Sequence, residues 1–582
     1  MVAYKSCFAA LAFVWAGIIP AAAQTAPAPK LVVAISVDQF SSDLFNQYRG
    51  RFKAGLKKLM DGGALFPNGY QSHAATETCP GHSTILSGRH PSATGIIANN
   101  WYGADGREVY CVYDKGMVVP GRPEKPRGPA NLKVTTLGDW LREKDAGSRT
   151  IAVSGKDRAA IMMAGKKPTA TFWWDDDRGF NTSVKPGTDE AAALAPVAGL
   201  NATLDSAWTK APPSWKPLDP RCTALDESRT YAPGLRIDHH VPPALTRDSA
   251  KSWREDKAFQ SWLRASPLLD KITLDVAGDM LRRYMLGQRG TTDVLAVSLS
   301  ATDYIGHRYG NQGPEMCDQM AQLDLMLGQF LERIDRLKIP YAVVITADHG
   351  AVDAAERVAD RGVPTGRVML NLPAALNALL RNRLGLDFDP ILGANKGAYE
   401  NQFLYIDRRK ADPPLIQQIV TETLSLLSGQ TDKPMPWNGM IVGAFARDEI
   451  LKMAVPPGKP ADELSLAERY ALSADAERSP DIFVAFAPGV SFGAARAGGA
   501  IAGHGSPWGH DRRVPILFWR SGGRPFEQAL PIETVDIAPT LAALVGVKVR
   551  PAQEQNDGAG ESRPPVDGQC RDLDPGLANS CR

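Results

Sequence analysis

The chain has 582 residues, 44% hydrophobic and 22% charged, enough for a large α/β core or for two domains. Its 66 basic residues stand against 64 acidic ones, a net charge of +2. That balance excludes broad electrostatic binding of nucleic acid or of an anionic membrane surface, so any anion must be recognised locally, at a site.

Residues 1–23 read as a signal peptide. Lys5 gives a basic start, Cys7 to Ile19 is nearly all apolar, and Ala21-Ala22-Ala23 offers a small-residue cleavage site before Gln24. The apolar stretch is short for a membrane span, which takes about 20 residues. The expectation is an exported protein, periplasmic or secreted, with no stable membrane anchor. Losing the leader removes Cys7 and leaves Cys79, Cys111, Cys222, Cys317, Cys570 and Cys581, an even set suited to disulfides in an oxidising compartment. Cys570 and Cys581 are close enough in sequence to staple the tail; the other pairings stay open.

A catalytic domain is expected over 24–548. Leu31 to Val37 is a short run, apolar on both faces, that ends at Asp38, and Arg51 to Met60 is patterned as a helix. Glu77-Thr78-Cys79-Pro80-Gly81-His82-Ser83 follows. Pro80 suits the first turn of a helix, and Thr78 sits just before it, where free N–H groups and a partial positive charge favour a phosphate. Taken alone, Thr78 reads as a helix N-cap and His82 as a hydrogen-bonded structural histidine. Asn99, in Ile97-Ala98-Asn99-Asn100-Trp101, is a neutral donor. The run from Ile151 leads into Ser154-Gly155-Lys156-Asp157-Arg158. Lys156 and Arg158 alternate and can face one side of an extended segment, an ammonium and a guanidinium fork both fitted to phosphoryl oxygens; a solvated basic turn has the same pattern.

Leu268 to Tyr284 and Pro314 to Leu337 are helical in pattern. Between and after them, Val294 to Leu299 leads to Asp303 and Tyr341 to Ala347 ends at Asp348. Apolar runs alternating with helices predict an α/β fold, a mostly parallel central sheet flanked by helices. The stretches of about 160–265 and 360–500 fit that scheme poorly and read as inserted cap segments. The tail, 549–582, is rich in Pro, Gly and charge and reads as extended. Ligands bind beyond the carboxyl ends of such strands. Three aspartates gathered there need a multivalent cation. His307 stands four residues after Asp303 and His349 directly after Asp348, and carboxylate with imidazole suits zinc. His504, in Gly503-His504-Gly505-Ser506, lies in a loop able to approach a metal, with His510 as the competing choice.

Together, Asp38 after a strand, T-C-P-G-H-S around Thr78, I-I-A-N-N-W around Asn99, S-G-K-D-R, Asp303/His307, Asp348/His349 and H-G-S-P at His504 resemble a known group. They are similar to the single-domain, threonine-nucleophile bacterial alkaline phosphatases of the alkaline phosphatase superfamily, from Leu31 to about Val545. Nucleotide pyrophosphatase/phosphodiesterases share the metal pattern. The resemblance implies an alkaline phosphatase-like core with two Zn2+ per chain. Asp303, His307 and His504 would hold one; Asp38, Asp348 and His349, with Thr78, the other. It leaves room for an additional structural Ca2+ or Mg2+. It further implies hydrolysis of small-molecule phosphate monoesters through a phosphothreonine at Thr78 with release of inorganic phosphate; a monomer is expected. Asn99, Lys156 and Arg158 would bind the phosphoryl oxygens. The Lys-x-Arg pair separates this group from the diesterases, because a diester carries one charge fewer and an extra substituent there. The alternatives are a phosphodiesterase/nucleotide pyrophosphatase of the same superfamily and a phosphate-binding protein without catalysis. A sulfatase is excluded, since Cys79-Pro80-Gly81-His82 lacks the C-x-P-x-R spacing.

Overall fold

A strand whose two faces are both apolar needs helices on both sides, and Leu31–Val37 (β1) is buried along its whole length. The computed structural model describes residues 27–245, 247–248, 250–394, 402–429, 434–493, 495–496, 499–554, 563–573 and 581; the leader expected over 1–23 lies outside them. Around β1 lie β2 (Ala64–Tyr70), β3 (Thr150–Ser154), β4 (Ala170–Asp175), β5 (Gly179–Asn181), β6 (Asp293–Leu299), β7 (Tyr341–Thr346), β8 (Arg513–Arg520), β9 (Phe526–Glu527) and β10 (Ile532–Glu533). They form one sheet in the order β9-β2-β8-β7-β1-β6-β3-β4-β5, with β10 also paired to β2. The five neighbours β7-β1-β6-β3-β4 are parallel, and β8 and β5 run against the strands beside them.

Alternation along β1 divides the core. Leu31, Val33, Ile35 and Val37 join one apolar cluster, and Val32 and Ala34 join another on the opposite face. Helices α1 (Thr78–Ile85) and α2 (Asp157–Ala164) cover the second face. Helices α3 (Pro267–Arg283), α4 (Ala301–Tyr309) and α5 (Pro314–Asp335) cover the first. The register places Val37 opposite Leu299 and Ser36 opposite Thr346. The segments that follow β1, β6 and β7 therefore leave the sheet at one level.

Within 160–265, β4 and β5 extend the central sheet, while the helix Glu190–Lys210 and the hairpin Glu227–Ala232/Leu235–His239 stand outside it. Within 360–500, Phe403–Leu404, Ile441–Ala446 and Ile482–Phe486 form a separate antiparallel sheet. Leu376, Ile419, Trp437 and Val484 give it an apolar cluster of its own. Disulfides join Cys79 to Cys111, Cys222 to Cys317 and Cys570 to Cys581. In the tail, Arg550–Pro551 pairs with Pro565–Val566, and Arg571 lies 2.6 Å from Asp536. Among the described residues no helix is long and apolar enough to cross a membrane.

Candidate active site

Three strand ends bring the acids together. The Asp38 N–H donates to the Leu299 carbonyl at 2.9 Å, which ties the end of β1 to that of β6. Gln39 then turns through the left-handed region, φ 68°, and its N–H donates to Asp348 Oδ1 at 3.2 Å. Asp303 sits in the first turn of α4, whose Ala301 N–H is held by Asp270 Oδ1 of α3 at 2.9 Å. Helix α1 closes against the end of β7 at Gly81, where a Cβ would collide with the Asp348 carbonyl.

The side chains form two overlapping triads, Asp38/Asp348/His349 and Asp303/His349/His504; within each, the potential ligand atoms lie within 4.8 Å of one another. His349 belongs to both. His307 stands beside the second triad, its Nε2 3.2 Å from Asp303 Oδ1 and its ring 5.0 Å from that of His504. His504 Nε2 lies 3.4 Å from Asp303 Oδ1, whereas His510 Nε2 is turned to Ser506 Oγ at 3.2 Å. Of these two competing histidines, His504 meets a carboxylate of the triads, while His510 faces Ser506 and Asp511.

The imidazoles are oriented alike. Nδ1 of His307, His349 and His504 lies 2.8–2.9 Å from the carbonyls of Ala502, Gly350 and Thr76. A carbonyl only accepts, so each Nδ1 carries the hydrogen and each neutral ring presents the Nε2 lone pair. Those lone pairs face carboxylate oxygens, which are acceptors too. Among the described residues, Asp38 Oδ1, Asp303 Oδ1, Asp348 Oδ2 and His349 Nε2 are buried and find no hydrogen-bond partner. Buried acceptors facing one another are stable only around positive charge, so the donor set fits metal cations.

Charge within the site tells the same story. Burial, then the Asp348 charge, pushes the Asp38 carboxyl well above the ordinary range. Burial would also raise Asp303, but Lys156 and His307 hold it well below. Asp348 is lowered against its burial by His349 and His82. Burial lowers His349 to about 3. His504 would likewise be lowered by burial, but the Asp303 carboxylate 3.4 Å away lifts it to about 9.

Lys156 supplies a positive charge. Its ammonium is buried 2.6 Å from both Asp38 Oδ2 and Asp303 Oδ2, so it stands between carboxylates. Arg158 lines a cleft of about 270 Å³ with Thr78, Asn99, Asp303, His307 and His504, and shares a second cleft with Lys156 and Tyr304. Thr78 is the first residue of α1, Glu77 precedes it as N-cap, and no side chain caps the helix. The simple reading of Thr78 as a cap therefore fails, and its hydroxyl lies 3.4 Å from Arg158 Nη2. Asn99 Oδ1 accepts from the Cys79 N–H at 2.9 Å, which leaves its Nδ2 hydrogens for the cleft.

Two residues with a part here carried little signal in the sequence. Glu77 Oε2 accepts from the Asn99 N–H at 2.6 Å. His82 Nδ1 lies 2.8 Å from the Thr78 carbonyl and 3.1 Å from Asp348 Oδ2, and its Nε2 lies 2.9 Å from Ser298 Oγ. Its i, i+4 spacing from Thr78 was the available clue.

The chain matches the type I phosphodiesterase / nucleotide pyrophosphatase family over residues 32–507. It is 38% identical to alkaline phosphatase PhoK of Sphingomonas sp. over 568 residues, 95% of this chain and 92% of that one. It is also 38% identical to alkaline phosphatase PhoD of Zymomonas mobilis over 577 residues, 97% and 92% of the two chains. The crystal structure of wild-type alkaline phosphatase PafA is similar with a TM-score of 0.75 at 27% identity, covering 90% of this chain and 96% of that one.

Proposed function

The chain belongs to the type I phosphodiesterase/nucleotide pyrophosphatase family, within the alkaline phosphatase superfamily, and from that premise we propose that it is a zinc-dependent phosphatase that hydrolyses phosphate monoesters through Thr78. One observation carries the reading: a helix-terminal hydroxyl that caps nothing lies beside an arginine, at the edge of buried acceptors that need cations.

Asp38, Asp348 and His349, with Thr78, would hold one Zn2+; Asp303, His307 and His504 would hold the second. Bound there, the pair would lower the pKa of the Thr78 hydroxyl and balance charge on the leaving oxygen. The remaining work falls to the chain. Thr78 Oγ1 gives up its proton and forms the bond to phosphorus as the ester P–O bond breaks, and the departing alkoxide takes a proton. Water then adds to phosphorus and gives up a proton, the Thr78 Oγ1–P bond breaks with Oγ1 taking a proton back, and inorganic phosphate leaves. Arg158 and the Asn99 amide hold the non-bridging oxygens, where positioning and charge matter most in phosphoryl transfer. Lys156, 2.6 Å from both Asp38 and Asp303, offsets part of their charge. All six cysteines after the leader are paired, which supports export to the periplasm or medium. The division into a 1–23 leader, a 24–548 catalytic unit and a tail belongs to the same reading.

A second reading, phosphodiester hydrolysis, is favoured by the match to a diesterase family and by a cleft walled by Trp101, Tyr102 and Tyr405. Rates on p-nitrophenyl phosphate and bis-p-nitrophenyl phosphate separate the two; a higher kcat/KM on the diester would replace the first reading by the second. Thr78→Ala should cost about three orders of magnitude or more in kcat on the preferred substrate with an unchanged melting temperature. Turnover near the wild-type rate would remove Thr78 as nucleophile.

A further inference from the structure

Arg158 has to be held in place if it is to sort one phosphate ester from another. Its Nε is buried with no partner among the described residues, and its contact with Thr78 Oγ1 is long, 3.4 Å. The group that reaches it from behind comes from the hairpin Asn100–Tyr102/Glu108–Tyr110. The Tyr110 hydroxyl donates to Asp157 Oδ1 at 2.7 Å, so its lone pairs are left for Arg158 Nη1, 3.5 Å away. Asp157 is itself fixed. It accepts from the Arg158 N–H at 2.7 Å and from Arg127 Nε at 2.8 Å, and the Arg127 guanidinium lies over the Tyr110 ring, 4.6 Å from its centroid. Burial and the Asp157 charge push the phenol up, which keeps it protonated and able to donate.

The hairpin is fastened to the proposed nucleophile. Cys111 follows Tyr110, Cys79 follows Thr78, and the two are bonded. Asn99 sits in the same clasp: its side-chain oxygen accepts from the Cys79 N–H and its carbonyl from the Cys111 N–H, both at 2.9 Å. Thr78, Asn99 and the support of Arg158 are therefore linked through one covalent bridge.

We propose that Tyr110 is the positioning residue of Arg158, clasped to the Thr78 helix by the Cys79–Cys111 disulfide, so that the hairpin sets the preference for monoesters. The selectivity part rests on the monoester reading above; the positioning part does not.

The test is a double-mutant cycle on the full-length enzyme with Tyr110→Phe and Arg158→Ala, measuring kcat/KM on p-nitrophenyl phosphate and on bis-p-nitrophenyl phosphate, with melting temperatures as the folding control. Tyr110→Phe removes one hydroxyl. It should lower monoester kcat/KM about tenfold and diester kcat/KM less than about twofold, and weaken inhibition by inorganic phosphate. It should add nothing in the Arg158→Ala background, because a residue that acts through another has no effect once that other is gone. Losses that multiply in the double variant, or no loss in the single one, would overturn the proposal. If Arg158→Ala harms both substrates equally, the monoester reading fails, and the cycle still decides whether Tyr110 works through Arg158. Cys79→Ser/Cys111→Ser should reproduce the loss of selectivity; should that variant not fold, the Tyr110→Phe cycle stands on its own.

Discussion

Lys156 and Arg158 alternate in sequence, and an extended segment would turn both to one side. In the structure Lys156 is the extended N-cap of α2, and the helix begins at Asp157. A helix turns about 100° per residue, where a strand turns 180°, so the two cations take different partners although both line one cleft with Tyr304. Arg158 reaches the cleft at Thr78 and Lys156 drops between Asp38 and Asp303. A buried charge with both partners in place is costly to remove, because the partners stay behind. Lys156→Met should destabilise the chelated protein at pH 8 by about 3–5 kcal/mol. The loss should shrink toward pH 4, as the stranded carboxyls take up protons. Urea midpoints at the two pH values measure it, and a loss that does not change with pH would contradict the role given to the ammonium.

Helix starts show the same dependence on distant partners. The periodicity from Arg51 predicts a helix over Arg51–Met60, yet Arg49–Arg51 is a 3-10 turn and the α-helix spans Gly55–Gly62. Asp324 of α5 takes the N–H groups of Lys53, Ala54 and Leu56 at 2.6–2.8 Å, so a carboxylate far along the chain fixes where the helix begins. Asp270 does similar work for α4, which carries Asp303 and His307, and its own Oδ2 accepts from Gln319. Burial raises Asp270 to about 7. Between its unfolded value, about 4, and about 7, the folded chain holds a proton that the unfolded chain has released. The stability from this group is full below about pH 4 and falls as pH rises to about 7. Asp270→Asn keeps an acceptor for Ala301 and removes the charge. In chelator, the variant should therefore gain on the wild type between pH 4.5 and 7.5. Parallel stability curves for the two proteins would refute the assignment.

Across the whole molecule, β1, α4, β7 and the loop bearing His504 converge on the same buried acceptors. A ligand that binds only the folded arrangement stabilises all of it by mass action, by about 2.7 kcal/mol at a hundredfold excess over Kd. Chelation should abolish turnover and lower the melting temperature together, and added Zn2+ should restore both. A melting temperature indifferent to chelator would place any metal away from these side chains. Asp38 and Asp348 were legible because a strand buried on both faces is a continuous apolar run, and the polar residue that ends it marks the sheet edge; Asp303 was legible because it follows such a run within one helical turn. The Thr78 motif and the family resemblance were legible for the same local reason. The resemblance already implied His504 over His510, but the place of His349 in both triads and the burial of Lys156 between Asp38 and Asp303 were not legible. The Cys79–Cys111 and Cys222–Cys317 pairings and the entry of β4 and β5 into the sheet also waited for the fold. Short-range pattern sets which chemistry each segment carries. Which atoms face one another across segments as distant as Asp38 and His504 is fixed by sheet register, helix starts and packing, and only the tertiary structure holds those.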